Sequence, residues 1–357
     1  MLSPGFRQSR WSQIAELSFV VDGYELERLA ADESSGYERV STHVRLLGGA
    51  AEGLGEDVWP FAKDHDALLN AGPSLPLAGD WTMGGFCEHL AALDQWPEPP
   101  SWEEGRRYRN WAFESAALDL ALRQNERAMT EVLGLELRPV RFVNSLGLGD
   151  PPSFDAIGRR LARYPGIRFK LDADPRWTTA LMDELVATDA VDIIDFKGQY
   201  GLETGDTAAL GRMYAHALDR FCDVVLEDPH DLPAITKLVA SHVQRVSYDA
   251  PIHDVSALDA VPLPARIVNV KPSRIGSVSA LLDLYDHCER HDVRMYGGGM
   301  GELGVGRGQV QLLASMFHAD APNDVAPTAF NNSDLPDHLP SSPLTPPPQP
   351  AGFRWTG

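Results

Sequence analysis

Residues 297–311 read GGGMGELGVGRGQVQ and hold seven glycines. Gly299, Gly301 and Gly304 are spaced G-x-G-x-x-G, after a strand-like VRMY (293–296) and before a helix-like QVQLLASMF (309–317). Two folds compete for this stretch. In a doubly wound sheet it is the phosphate turn of a nicotinamide-binding unit; in a barrel it is the loop after a late strand. Position decides between them. A dinucleotide fingerprint sits in the first βαβ unit, with an acidic residue about 20 positions on. This stretch lies in the last third of the chain. Asp320 and Asp324 fall near the spacing, but HADAPNDVAP (318–327) does not read as a strand end. The barrel loop is the better reading. It places Glu302 either at the barrel mouth or as a charge at the start of the next helix. Its glycines allow close backbone approach to a substrate and expose N–H groups.

Working back from the loop, short apolar runs alternate with helical stretches from residue 139: VRFVNSL, IRFKLDA, VDIIDFKG, DVVLEDP, QRVSYDA, ARIVNVKP and VRMYGGG. Between them lie FDAIGRRLARY, WTTALMDELVAT, DTAALGRMYAHALDRF, LPAITKLVAS, DVSALDAV and SVSALLDLYDHCERHD. Repeated β-then-α units with Val/Ile-rich strands indicate a parallel sheet covered by helices, and seven in succession favour a closed barrel. Ahead of them, AELSFVVDGYELERL and ERVSTHVRLLGG read as strands, with AAEGLGED (50–57) as the turn after the second. NWAFESAALDLALRQNERAMTEVLG (110–134) reads as one long helix stopped by Gly134. The expected division is an α+β domain over 1–137, a β/α barrel over 138–332, and a Pro-rich tail over 333–357 that docks on both.

Composition narrows the function. A chain of 357 residues with 43% hydrophobic and 23% charged residues is ordinary for a globular protein. Its net charge of −20 repels phosphate backbones, so no nucleic-acid partner is expected. No apolar run is long enough to span a membrane, and the opening MLSPGFRQSR lacks the apolar segment of a secretory signal. Cys87, Cys222 and Cys288 lie far apart without metal or redox spacing. They read as reduced thiols, which points to a cytoplasmic protein.

The informative feature is where ionisable residues fall. Successive strands end in Lys170 and Asp172, Asp195 and Lys197, Glu227 and Asp228, Asp249, and Lys271. Residues i and i+2 share a strand face, so Lys170 is expected to pair with Asp172, and Asp195 with Lys197. In a parallel barrel these ends converge at one mouth, where barrel catalysis is found. Asp195, Glu227 and Asp249 would crowd there, and two like charges 4 Å apart cost about 4 kcal/mol at an effective dielectric near 20. An all-oxygen set of this kind calls for a hard cation, Mg2+ or Mn2+. Taken singly, each charge could instead be a helix cap or a solvated strand end.

This ordering resembles the enolase superfamily, in particular its muconate-lactonizing and o-succinylbenzoate synthase branch, over residues 15–330. AAEGLGED resembles the family's G-x-G-E turn, FESAALDLALR…EVLG its long helix, SLGLGDPPSFDAIGRRLARYPGIRFKLD its first two barrel strands, and VVLEDP its fourth-strand metal glutamate. VNVKPSRIGS resembles its sixth-strand lysine motif and is the most specific match. The resemblance implies an α+β cap on a modified (β/α)7β barrel, with one Mg2+ held by Asp195, Glu227 and Asp249. It also implies removal of a proton beside a small substrate's carboxylate through a metal-held enediolate, as in cycloisomerases, dehydratases or epimerases. Lys271 fits the base, against the plainer reading of a surface lysine after a strand. Asn269, on the same face, would orient its neighbours or the substrate. Glu302 stands where the family has an acid that orients a lysine.

Two positions depart from the family. Its second strand ends K-x-K, its second lysine a base, but here KLD places Asp172 there. Its third-strand D-x-N is DFK here, placing Lys197 beside the metal ligand. Either Lys197 is a relocated base with Asp172 pairing to it or to Lys170, or the two form an internal salt bridge in a member that binds a carboxylate without turnover. A second register takes LDADPRW as the third strand with Asp172 as metal ligand; it leaves one strand too many before NVKP. Cap loops around 20–25 and 50–60 are expected over the mouth, with Trp59 and Phe61 as lid hydrophobes or as cap core. The sequence carries no marker of oligomeric state, although barrels of this kind often form homo-oligomers.

Overall fold

The computed structural model describes residues 9–32, 38–200, 206–348 and 350–355. Most of MLSPGFRQSR (residues 1–8), and residues 349, 356 and 357 of the tail, lie outside them.

The N-terminal half holds α1 (Arg10–Ile14), β1 (Ser18–Val21), β2 (Gly23–Asp32), β3 (Glu38–Gly48), β4 (Ala51–Asp57), α2 (Ala62–Ala71), β5 (Gly79–Thr82), α3 (Met83–Ala91), α4 (Gly105–Gln124) and α5 (Met129–Leu133). Strands β2, β3 and β4 form an antiparallel sheet, and β1 pairs with β5. AAEGLGED is therefore strand β4 rather than a turn. Its glycines mislead because their role is to admit a helix: a Cβ on Gly53 or Gly55 would overlap the carbonyl oxygens of Ala116 or Ala112 in α4. That helix is buried along most of its length. The expected single helix through Gly134 is two, broken where Glu126 takes φ 54°; Gly134, at φ 61°, ends α5. Of the segments expected as loops, residues 20–25 and 51–57 are largely strand, and 58–61 form the loop before α2. Trp59 is buried with Val58, Trp96 and Tyr108, and Phe61 and Met300 pack against that cluster.

The second half runs β6 (Asn144–Leu146), α6 (Asp155–Arg163), β7 (Phe169–Asp172), α7 (Thr179–Ala187), β8 (Val191–Asp195), α8 (Thr207–Arg220), β9 (Val225–Glu227), α9 (Pro233–Val239), β10 (Val246–Tyr248), β11 (Ile267–Val270), α10 (Pro272–Ile275), α11 (Val278–Arg290), β12 (Arg294–Gly297) and α12 (Val305–Phe317). Strands β6 to β12 pair in sequence order, all parallel. DVSALDAV, expected as a helix, is a 3-10 turn over Val255–Asp259. The sheet closes through two parallel bridges, Gly298 to Asp324 and Phe142 to Asn323. The eighth stave is thus the short segment at Asn323–Asp324, giving a (β/α)7β barrel with an α+β cap. Two bridged residues between Pro322 and Pro327 are too few for a period-2 pattern, so HADAPNDVAP does not announce a strand.

The tail lies back along the molecule. Leu344 bridges Val140, Gly352 bridges Ala128, and buried Phe353 packs edge-on to Trp111 of α4. Arg354 Nε donates to buried Asp119 at 2.6 Å. No described helix is long and apolar enough to cross a membrane, and the three cysteines are free thiols.

Candidate functional site

The glycine-rich loop ends at α12, and the anion on its exposed N–H groups belongs to the chain itself. Glu56, at the end of β4, accepts from Leu303 N at 2.7 Å, from Gly304 N and from Gly306 N at 2.9 Å. The cap carboxylate neutralises this helix start in the place where a dinucleotide fold would hold pyrophosphate. Glu302 is buried, accepts from Met300 N at 2.7 Å and pairs with Arg307 at 3.0 Å. At Gly298 a Cβ would press on Asn269 and on Lys271 Cε, so the missing side chain leaves room for both.

The charged strand ends do meet inside the barrel. Lys170, Asp195, Glu227, Asp249 and Lys271 are all buried. Lys170 Nζ donates to Glu227 Oε1 at 2.7 Å and lies 3.5 Å from both Asp195 and Asp324. The expected Lys170–Asp172 pair is not formed. Neighbours two apart on a strand are about 6.6 Å apart, whereas adjacent strands are about 4.8 Å apart, so Lys170 pairs across strands. The expected Asp195–Lys197 pair does form, because Lys197 lies in the turn after β8. Asp172 stands at the rim, half-exposed, opposite Asp195 in register. Lys197 Nζ joins the two, at 2.9 Å from Asp172 and 2.6 Å from Asp195, while its backbone N–H donates to Asp195 Oδ1 at 2.9 Å. ADPRW makes no additional strand, which removes the second register.

The remaining oxygens are also engaged. Glu227 accepts from Tyr296 OH at 2.7 Å and Asn269 Nδ2 at 3.1 Å. Asp249 accepts from Lys271 Nζ at 2.9 Å and Tyr200 OH at 3.0 Å, and pairs with Arg274. Burial alone would discharge these groups, and for the two lysines and the two aspartates the pairing overrides it. Desolvation works against the Lys170 and Lys197 ammoniums, yet the carboxylates around them push both up. Asp195 is held down by Lys170 and Lys197, and Asp249 by Arg274 and Lys271, in each case against burial. Glu227, wholly buried beside two further acids, is pushed up by desolvation.

Tyr200, Arg274, Tyr296 and Asp324 escaped the sequence reading. Arg274 stood inside VNVKPSRIGS, and Tyr296 closes a strand as the acids do; Tyr200 and Asp324 carried no signal. A cavity of about 710 Å3 reaches the rim at Asp172 and Asp324, with Arg39, Arg159, Arg160 and Arg307 among its lining.

Comparison with known proteins gives the lineage. Residues 12–132 and 136–332 match the N-terminal and C-terminal models of one family, described as domain of unknown function (DUF8230). The chain is 30% identical over 313 residues to an N-succinylamino acid racemase of Amycolatopsis sp, covering 82% of this chain and 80% of that one. A stretch of 61 residues, 17% of this chain and 16% of the other, is 38% identical to o-succinylbenzoate synthase of Bacillus subtilis (strain 168). Muconate lactonizing enzyme from Pseudomonas putida superposes with a TM-score of 0.66 at 16% identity, over 94% of this chain and 96% of that one. The chain is a divergent member of the enolase superfamily.

The enolase-superfamily pattern calls for a divalent ion at Asp195, Glu227 and Asp249. Among the described residues no group of three or more His, Cys, Asp or Glu side chains is arranged to hold one. The three acids converge, but their oxygens face ammonium, guanidinium, hydroxyl and amide donors. As packed here, the donor set does not fit a divalent ion.

Proposed function

We propose that this enolase-superfamily chain is an enzyme of the lyase or isomerase type that removes the proton beside the carboxylate of a small anionic substrate, with Lys271 as base. The observation that carries the reading is the placement of Lys271. It ends β11, is nearly buried, is held by Asp249, and has Gly298 clearing the space beside it. An amine oriented by a carboxylate at a barrel mouth can meet a substrate proton at hydrogen-bond range; Lys271 takes that proton as the neutral amine, after releasing its own ammonium proton to solvent. Lys170 on β7 and Lys271 just after β11 flank Asp195, Glu227 and Asp249 at the ends of β8, β9 and β10. Lys170 and Lys197 stay cationic and oppose the negative charge that develops on the substrate. The rim cavity offers four arginines to a carboxylate, set among Asp150, Asp155, Asp172 and Asp324. The relatives generally use a divalent metal, typically Mg2+, which supplies positive charge to substrate oxygens.

A second reading, carboxylate binding without turnover, is favoured by Lys197 being locked between Asp172 and Asp195. Incubation with a panel of small carboxylates in D2O, with and without Mg2+, tests both. Deuterium entering at the α-carbon, lost in Lys271→Ala, supports the enzyme; binding without exchange supports the second reading.

A further inference from the structure

We infer that Lys197 is the resident cation of this site, so that Asp195, Glu227 and Asp249 are neutralised by the chain's own side chains and take up no divalent metal. The inference concerns the same site as the proposed reaction and holds whether or not the site turns over.

Three observations support it. First, Lys197 is built into place. Its backbone takes φ 53°, a left-handed conformation uncommon for a residue with a side chain. That twist turns both its N–H and its Nζ onto the one carboxylate of Asp195. The next residue holds the turn: Gly198 N donates to Asp228 O at 2.8 Å, and a Cβ at Gly198 would collide with the backbone of His230. The loop therefore fixes where the side chain starts, and the carboxylates of Asp195 and Asp172 hold its ammonium.

Second, Lys197 has a dedicated second partner. Asp172 lies opposite Asp195 in strand register and receives the same ammonium at 2.9 Å. A carboxylate at the rim that faces Lys197 holds it where a mobile ion would otherwise enter.

Third, the other acids are served separately. Lys170 bonds Glu227, Lys271 and Arg274 bond Asp249, and the Tyr296 and Tyr200 hydroxyls take further positions. Four cationic side chains thus meet Asp172, Asp195, Glu227 and Asp249. A divalent ion between these acids would have to displace Lys197 and sit close to Lys170, against like-charge repulsion in a buried setting.

The test uses the full chain, stripped with chelator. Mg2+ and Mn2+ at millimolar concentration are titrated by calorimetry and thermal melting, with Mn2+ also followed by its paramagnetic signal. Wild type is expected to give no binding heat, no melting shift and the spectrum of free Mn2+. Lys197→Asn is expected to gain one-site Mn2+ binding and to melt a few degrees higher when metal is added, because a ligand that binds only the folded state stabilises it. Lys197→Arg keeps the insensitivity. One equivalent of metal bound by wild type, and lost in Asp195→Asn, overturns the inference even if Lys197→Asn does not fold. A folded Lys197→Asn that ignores both metals overturns it as well. None of these readouts depends on turnover, so failure of the proposed reaction is read separately.

Discussion

The carboxylate of Glu56 in the cap accepts the backbone N–H of Gly306 in the barrel at 2.9 Å, joining residues 250 positions apart. Glu56 is almost wholly buried and also takes Ser41 Oγ at 2.7 Å. A charged acceptor at a buried helix start is worth about 1–2 kcal/mol more than a neutral one. Glu56→Gln should therefore lower the melting temperature by several degrees while far-UV circular dichroism is unchanged. A variant that melts with wild type would show that the loop is held by other bonds.

Gly55 gives a second check. Its missing side chain is what lets α4 lie on β4, so Gly55→Ala forces sheet and helix apart. A loss of roughly 1–3 kcal/mol or more is expected from overpacking. Gly49→Ala is the control, because nothing lies near its Cβ and only its φ of 56° is penalised. Denaturant melts of the two variants should rank Gly55→Ala as the more damaging.

Closure of the barrel makes stability depend on pH. Fully buried His318 places Nδ1 2.6 Å from Asn323 Oδ1, which also accepts Gly297 N at 2.7 Å. Tyr285 OH lies 3.2 Å from Nε2, so the ring fits as neutral, donating from Nδ1. Burial lowers its pKa to about 4 from 6.5. Between those values the unfolded chain binds the proton and the folded chain does not, so stability rises with pH across that window. Acidification from neutral to pH 4 should cost roughly 3 kcal/mol from this residue. His318→Gln, weaker at neutral pH, should show a flatter dependence. Parallel curves would place the titration elsewhere.

Gly298→Ala probes the site without touching its ionisable groups. The added methyl presses on Lys271 Cε and Asn269, and should move the amine out of line. Proton exchange is expected to fall by about 100-fold, the lower end of what a positioned base contributes, with substrate KM little changed. An equal loss in substrate affinity and none in exchange rate would argue that Lys271 serves binding.

The sequence made the barrel legible because buried parallel strands are Val/Ile-rich and end in charge. Lys170, Asp195, Glu227, Asp249 and Lys271 could be read as one interior set for that reason. The pairs of Lys197 with Asp195 and with Asp172 were legible too, but the partner of Lys170 was not: pairing across strands depends on curvature and register, which sent it to Glu227. The eighth stave was invisible because it is so short, and Asp324 was hidden with it. In β4 the glycines misled: a turn and a close helix contact demand the same residue.

Buried Asp119, in the first half of the chain, meets its guanidinium only at Arg354, 235 residues further on. During synthesis at roughly 5–20 residues per second, on the order of ten seconds or more separates the two. The carboxylate therefore leaves the ribosome well before its countercharge, and a nascent chain halted before the tail would carry an unneutralised acid in its cap.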